Sequence, residues 1–195
     1  MSMEHKAFLF DCELFFQTTK NLMEKTANDL NFAREYIGQH YNMFCSPYTG
    51  ESLQSDWEQE LSGDTIQEYF DFLLTSCYDV NSDWGLGYSW DGVEEAIKAM
   101  GTLENPGKVL LGDALYVGDI LVNPGGMGLG IIETSQIPEI LEKLLANRDM
   151  LNTLNLDMEN LLYDVESKEI VEGYDDLCNV YREALKQRKG IMFTF

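Results

Sequence analysis

The residues best suited to chemistry lie in three places. Asp79, Asn81 and Asp83 have the 1, 3, 5 spacing with which oxygen-bearing side chains enter a calcium-binding loop. Position 6 of that loop is Trp84, where a sharp turn favours Gly, and position 12 is Trp90 in place of a closing Glu, with Asp91 one residue late. The pattern predicts a weak, water-rich site over 79–91 or simply a turn, because Asp and Asn are ordinary turn formers. Trp84 and Trp90, followed by Asp91, Glu94 and Glu95, have the composition of a partner-binding patch, since Trp is enriched at interface hot spots. The alternative is that both rings fold inward and cap the core with their indole N–H groups bonded to backbone. The third place is a pair of apolar runs ending in acids: Asp11 and Glu13 after Ala7–Phe10, and Asp113 and Asp119 around ALYVG. A strand-end Asp nucleophile, a second acid for proton transfer and a downstream acidic pair for magnesium make up one form of phosphoryl chemistry.

Other candidates carry less. The glycines of NPGGMGLG, residues 123–130, miss the phosphate-loop register and no Gly-Lys-Ser/Thr follows, so a turn is expected there and no cofactor. His5 and His40 are the only histidines, without metal spacing or a neighbouring nucleophile. Glu94-Glu95 and Asp175-Asp176 are adjacent pairs, which diverge on a helix and suit caps and solvated faces.

The elements that would position these groups alternate between strand and helix. KAFLFD, residues 6–11, opens the fold as a strand. Phe15, Leu22, Leu30 and Ile37 recur at helical spacing with a break near Asn28-Asp29. A loop at Ser46–Gly50 precedes a short helix bearing Leu53, Trp57 and Leu61. Thr65 and Glu68 have capping-box spacing ahead of a helix with an apolar stripe of Ile66, Phe70, Leu73, Leu74 and Cys77. Asp91 with Glu94 caps a helix that ends at Gly101. Asn105-Pro106-Gly107 reads as a turn, and Lys108–Leu111, Ala114–Val122 and Leu129–Glu133 as strand material. A helix follows Ser135, with Pro138 in its first turn, and a leucine-rich helical stretch runs to Leu162. Asp175 caps a last helix with Leu177, Val180, Tyr181, Ala184 and Leu185 inward; its end is basic, and Ile191–Phe195 is a closing strand. The expected class is α/β (mixed α+β): a single domain over residues 1–195, a mixed β-sheet packed by several helices in an αβα sandwich, with residues 1–80 a helix-rich, acidic N-terminal portion.

Charge sets the function classes. The chain has 195 residues, 34 Asp and Glu against 13 Lys and Arg, and a net charge of -21. Of this, -13 lies in residues 35–97, which contain no Lys or Arg. A phosphate backbone repels such a surface, so no nucleic-acid partner is expected, and no apolar run is long enough to span a membrane. With 45% apolar residues the chain can build a core despite its charge. The N-terminus lacks a secretory apolar region, and Cys12, Cys45, Cys77 and Cys178 form no Cys-x-x-Cys pair, so a cytoplasmic protein with reduced thiols is expected.

Two family resemblances follow from these motifs. FLFDCELFF (8–16) with VLLGDALYVGD (109–119) faintly resembles haloacid-dehalogenase-type phosphohydrolases, which would make Asp11, Glu13, Asp113 and Asp119 catalytic. The second acid is Glu where that family has Asp, and its following Thr-Leu is missing. SWDGVEEAIKAMG (89–101), KVLLGDALYVGD (108–119), MGLGIIETSQIPEILEKL (127–144) and YDDLCNVYREALKQRKGIMFTF (174–195) together resemble the YfbM-like family of uncharacterised bacterial proteins. Asp113 stands where that family usually has a second Gly, and the first 80 residues are longer than expected. The resemblance implies an αβ sandwich and brings no reaction or ligand residues with it. The expected function is thus a non-enzymatic, acidic interaction module, in the form of an immunity-type inhibitor of a basic toxin; the alternatives are a metal-assisted phosphohydrolase and a weak calcium binder.

Overall fold

The alternation of KAFLF produces β1 (Lys6–Phe10), whose side chains point to opposite faces. Two helical segments, α1 (Cys12–Leu14) and α2 (Lys20–Asn28), are joined by a π-turn at Phe15–Thr19, and α3 (Leu30–His40) follows after a break at Asp29. Asp29 makes that break by accepting a hydrogen bond from the Asn31 N–H, at 3.0 Å. A 3₁₀ turn at Trp57–Glu60 precedes α4 (Ile66–Leu74), and α5 (Trp90–Met100) ends at Gly101 in the left-handed conformation, φ 64°. Next come α6 (Pro106–Leu111), β2 (Asp113–Ala114), the hairpin of β3 (Tyr116–Val117) and β4 (Ile120–Leu121), β5 (Leu129–Ile132), α7 (Ile137–Asn147), α8 (Ser167–Gln187) and β6 (Gly190–Thr194). This computed structural model describes residues 3–156 and 158–195.

The main sheet has the order β1-β6-β5-β2, with every pairing antiparallel. Its two faces carry different cores. Phe8, Phe10, Leu129, Ile131 and Met192 point to one side, where α1–α4, Trp57 and the β3–β4 hairpin cover them. Ala7, Ile132, Ile191 and Phe193 point to the other, beneath α5–α8. Helices on both faces of one sheet give the expected α/β sandwich. The N-terminal helix-rich portion supplies most of one layer, and the β3–β4 hairpin adds the remainder.

Local chemistry moves several boundaries from their expected places. Residues 108–111 are helical, not extended: Asn105 caps them, its Oδ1 accepting from the Lys108 N–H at 3.2 Å, and Pro106 occupies the first turn. The last helix begins at Ser167, where Glu166 and Glu169 form a reciprocal capping box; Asp175 lies inside the helix and pairs with Arg148. Leu185 points outward, and the leucine-rich stretch after α7 forms 3₁₀ turns only. Ser89 is the N-cap of α5, and Asp91 lies within the helix.

Edge strand β1 is closed by a segment of irregular backbone. The Trp84 N–H donates to the Ala7 carbonyl at 2.7 Å, and His5 and Gly87 exchange bonds of 3.0 and 3.1 Å. Asp83 Oδ1 accepts from the Ala7 N–H at 3.1 Å and the Gly85 N–H at 2.7 Å. An exposed edge is a template for mispairing, and residues 83–87 remove it. His5 is buried at this seam, donating from Nε2 to the Leu110 carbonyl and accepting the Leu86 N–H at Nδ1; burial lowers its pKa and keeps the ring neutral.

Candidate functional site

The acids expected to act together are dispersed. Asp11 caps α1 at 2.9 Å from the Leu14 N–H, and Glu13 accepts from the Gln17 side chain. Asp113 begins the opposite edge strand and holds Lys108 at 2.5 Å, and Asp119 is exposed in the β3–β4 turn. The strands β1 and β2 are three steps apart in the sheet, about 14 Å. No single cleft therefore joins Asp11 to Asp113.

The 79–83 acids are likewise engaged locally. Asp79 accepts from the Asn81 N–H at 3.0 Å, the Asn81 amide donates to the Gly50 carbonyl at 3.2 Å, and Asp83 closes the β1 edge. Among the described residues, no group of three or more His, Cys, Asp or Glu is arranged to hold a metal ion. The tryptophans part company. Trp84 is 37% exposed, whereas Trp90 is buried against Phe195 and donates to the Met3 carbonyl at 3.1 Å. Asp91 is buried too: its Oδ2 accepts the backbone N–H groups of Leu162 and Tyr163. Glu94 pairs with Lys98 at 3.0 Å, and Glu95 is half-buried. Trp90 and Asp91 therefore serve the interior, leaving no continuous patch with Trp84.

The sandwich also divides the acidic block. Residues 35–71 belong to the α1–α4 layer, and 91–95 lie on α5 in the opposite layer, so the block does not make one face. The first part remains concentrated. Glu35, Glu51, Asp56, Glu58, Glu60 and Asp64 are all exposed there. Arg34 pairs with them, bonded to both Asp64 oxygens at 2.8 and 2.7 Å and lying 3.9 Å from Glu58. On the other layer, Lys98, Lys143, Arg148, Lys168 and Lys186 each meet a neighbouring acid.

Beneath this acidic surface, α4 carries two buried carboxyl groups: Glu68, which the capping-box spacing pointed to, and Asp71, which no motif singled out. Glu68 completes the capping box with Thr65 and gathers the N–H groups of Ser62, Gly63 and Thr65 together with the Ser62 hydroxyl, all within 3.1 Å. Burial works against its ionisation, but these donors outweigh it and hold the pKa at about 2. Asp71 sits one turn later between Phe70 and Phe72. Burial, reinforced by the charge of Glu68, pushes its pKa up to about 7, and its Oδ1 has no hydrogen-bond partner. Asp71 lines a cleft of about 370 Å³ floored by Phe8, Leu129 and Met192 of the sheet, with Tyr48 and Tyr78 as walls and Lys6 among its lining residues. Burial raises the pKa of both tyrosines, and the nearby charge of Asp71 adds to it. The sequence signal for this site is a lone acid inside YFDFLL, a run otherwise suited to complete burial.

No family model, curated protein or solved structure matches the chain.

Proposed function

We propose that the protein is a non-catalytic binding module whose α3–α4 layer receives a basic protein partner, in the form of an immunity-type inhibitor that neutralises a cationic toxin. The observation supporting this is the run from residue 35 to residue 71, six of whose carboxylates are exposed and which contains no Lys or Arg, with Arg34 at its edge as the cation that pairs with it. Such a surface steers a positive partner and makes association dependent on ionic strength. The YfbM-like resemblance of residues 89–195 lies mostly outside this layer and adds no ligand residue to it.

The test compares two triple variants for binding to a small basic protein, cytochrome c, at low and high salt. Glu35→Gln, Glu58→Gln and Glu60→Gln together are expected to weaken low-salt binding several-fold. Glu104→Gln, Glu142→Gln and Asp149→Asn, which remove the same charge from the other side, are expected to change it much less. Equal losses in both variants, or binding indifferent to salt, would mean that the acidity serves solubility alone.

A further inference from the structure

The cleft beside α4 contains a carboxyl oxygen for which no described residue supplies a partner. Asp71 is 8% exposed, and its Oδ1 is sealed from water without a donor. Buried acceptors in native proteins are normally bonded, so an orphan at the wall of a small-molecule-sized cavity calls for a donor from outside. The surroundings select the charge of that donor. Glu68 lies one helical turn from Asp71, and the charge of Glu60 reaches the same cleft at Tyr48. An anionic head group would meet these acids with Lys6 alone of the lining residues to offset them, whereas a cation would complete the missing bond beside the rings of Tyr48 and Tyr78. The rest of the lining is largely apolar, from Phe8, Leu74, Leu129 and Met192, with Lys6, Thr49, Asn81 and Thr194 among it.

We propose that this cleft binds an organic ammonium ion with an apolar body, its N–H groups donating to Asp71 and its hydrocarbon resting on Phe8, Leu129 and Met192. The site is distinct from the acidic outer face and does not depend on a protein partner binding there. Because Asp71 is poised at about 7, an arriving ammonium displaces its proton, so affinity rises as the pH passes from acid to neutral. The charged and titratable groups facing Asp71 are Glu68 on the same helix, Glu60 from the turn before it, Tyr48 and Tyr78 from the adjoining loops, and Lys6 from β1. Glu68 and both tyrosines keep one protonation state across that range.

The experiment titrates the full chain with phenylethylammonium, using phenylpropionate as an anion of similar body. Backbone amide shifts locate the site, and calorimetry in two buffers of different ionisation enthalpy counts protons. The ammonium is expected to shift residues around Asp71, Leu74 and Met192 and to release a proton at about pH 6. Asp71→Asn, which keeps the size and removes the charge, is expected to weaken binding about tenfold or more and to abolish the release. Phenylpropionate binding equally well, shifts mapping elsewhere, or unchanged affinity in Asp71→Asn would each overturn the proposal. Absence of proton release from the unaltered protein would do so without reference to any variant.

Discussion

Glu68 and Asp71 lie on neighbouring turns of one helix, yet the fold stabilises opposite protonation states in them. Glu68 is surrounded by N–H and O–H donors, and its pKa of about 2 lies below the ordinary 4.5. Its contribution to stability is therefore complete above about pH 4.5 and is lost as the pH falls toward 2. Glu68→Gln turns one acceptor into a donor facing other donors and is expected to cost about 2–3 kcal/mol at neutral pH. Urea unfolding should show that difference shrinking toward pH 3, because the unfolded chain takes up a proton there that the folded carboxylate does not. Asp71 runs the other way. Its folded pKa of about 7 exceeds the ordinary 3.8, so the stability it confers is present below that value and is lost as the pH rises through about 7. Asp71→Asn should consequently raise the melting temperature at pH 8 and change it little at about pH 3.5; a stabilisation equal at both would refute the buried, reluctant charge. Sequence spacing identified Glu68 as a cap. Burial of Asp71 was invisible to it, because an acid at one position of an apolar helix reads as its solvated side until every face of that helix is covered.

At the scale of elements, the decisive feature is the loop that closes β1. Its acidic spacing suggests a calcium site, but pairing with the strand edge takes Asp83 for the Ala7 and Gly85 N–H groups. Gly85 is required by proximity: a Cβ there would lie 2.1 Å from the His5 carbonyl oxygen and 2.5 Å from Lys6 Cα. Both are backbone atoms, one at the first residue of β1 and one just before it, and cannot step aside. Gly85→Ala should thus destabilise the fold by about 2–4 kcal/mol. It should also accelerate amide exchange at His5, Gly87 and Trp84, the residues whose bonds hold the edge. Unchanged exchange at those three amides would show that the loop closure is not what the glycine protects. The same scale explains residues 108–111. Their apolar run fits strand and helix alike, and the choice was made by the Asn105 cap and the Pro106 start.

The whole molecule is an antiparallel sheet between two helical layers, one of which contains the acidic run 35–71 that has no Lys or Arg. A net charge of -21 opposes compaction through self-repulsion. Exposed charges are screened beyond about 8 Å at physiological ionic strength. Added sodium chloride should therefore raise the melting temperature by several degrees relative to low-salt buffer, and calorimetry that found a flat or falling trend would contradict this. The amino-acid order alone determined the α/β class, the outer strands of the chain, the capping box and the location of the acid, because periodicity, caps and charge are local properties. Only the tertiary structure decided that the acidic block splits between layers, that Trp90 and Asp91 turn inward, and that Asp11 and Asp113 end at opposite edges of the sheet. It also decided that Asp71 lies unpartnered beside a cavity. Each of these depends on strand order and on which faces are covered, and those are fixed by contacts between residues remote in sequence.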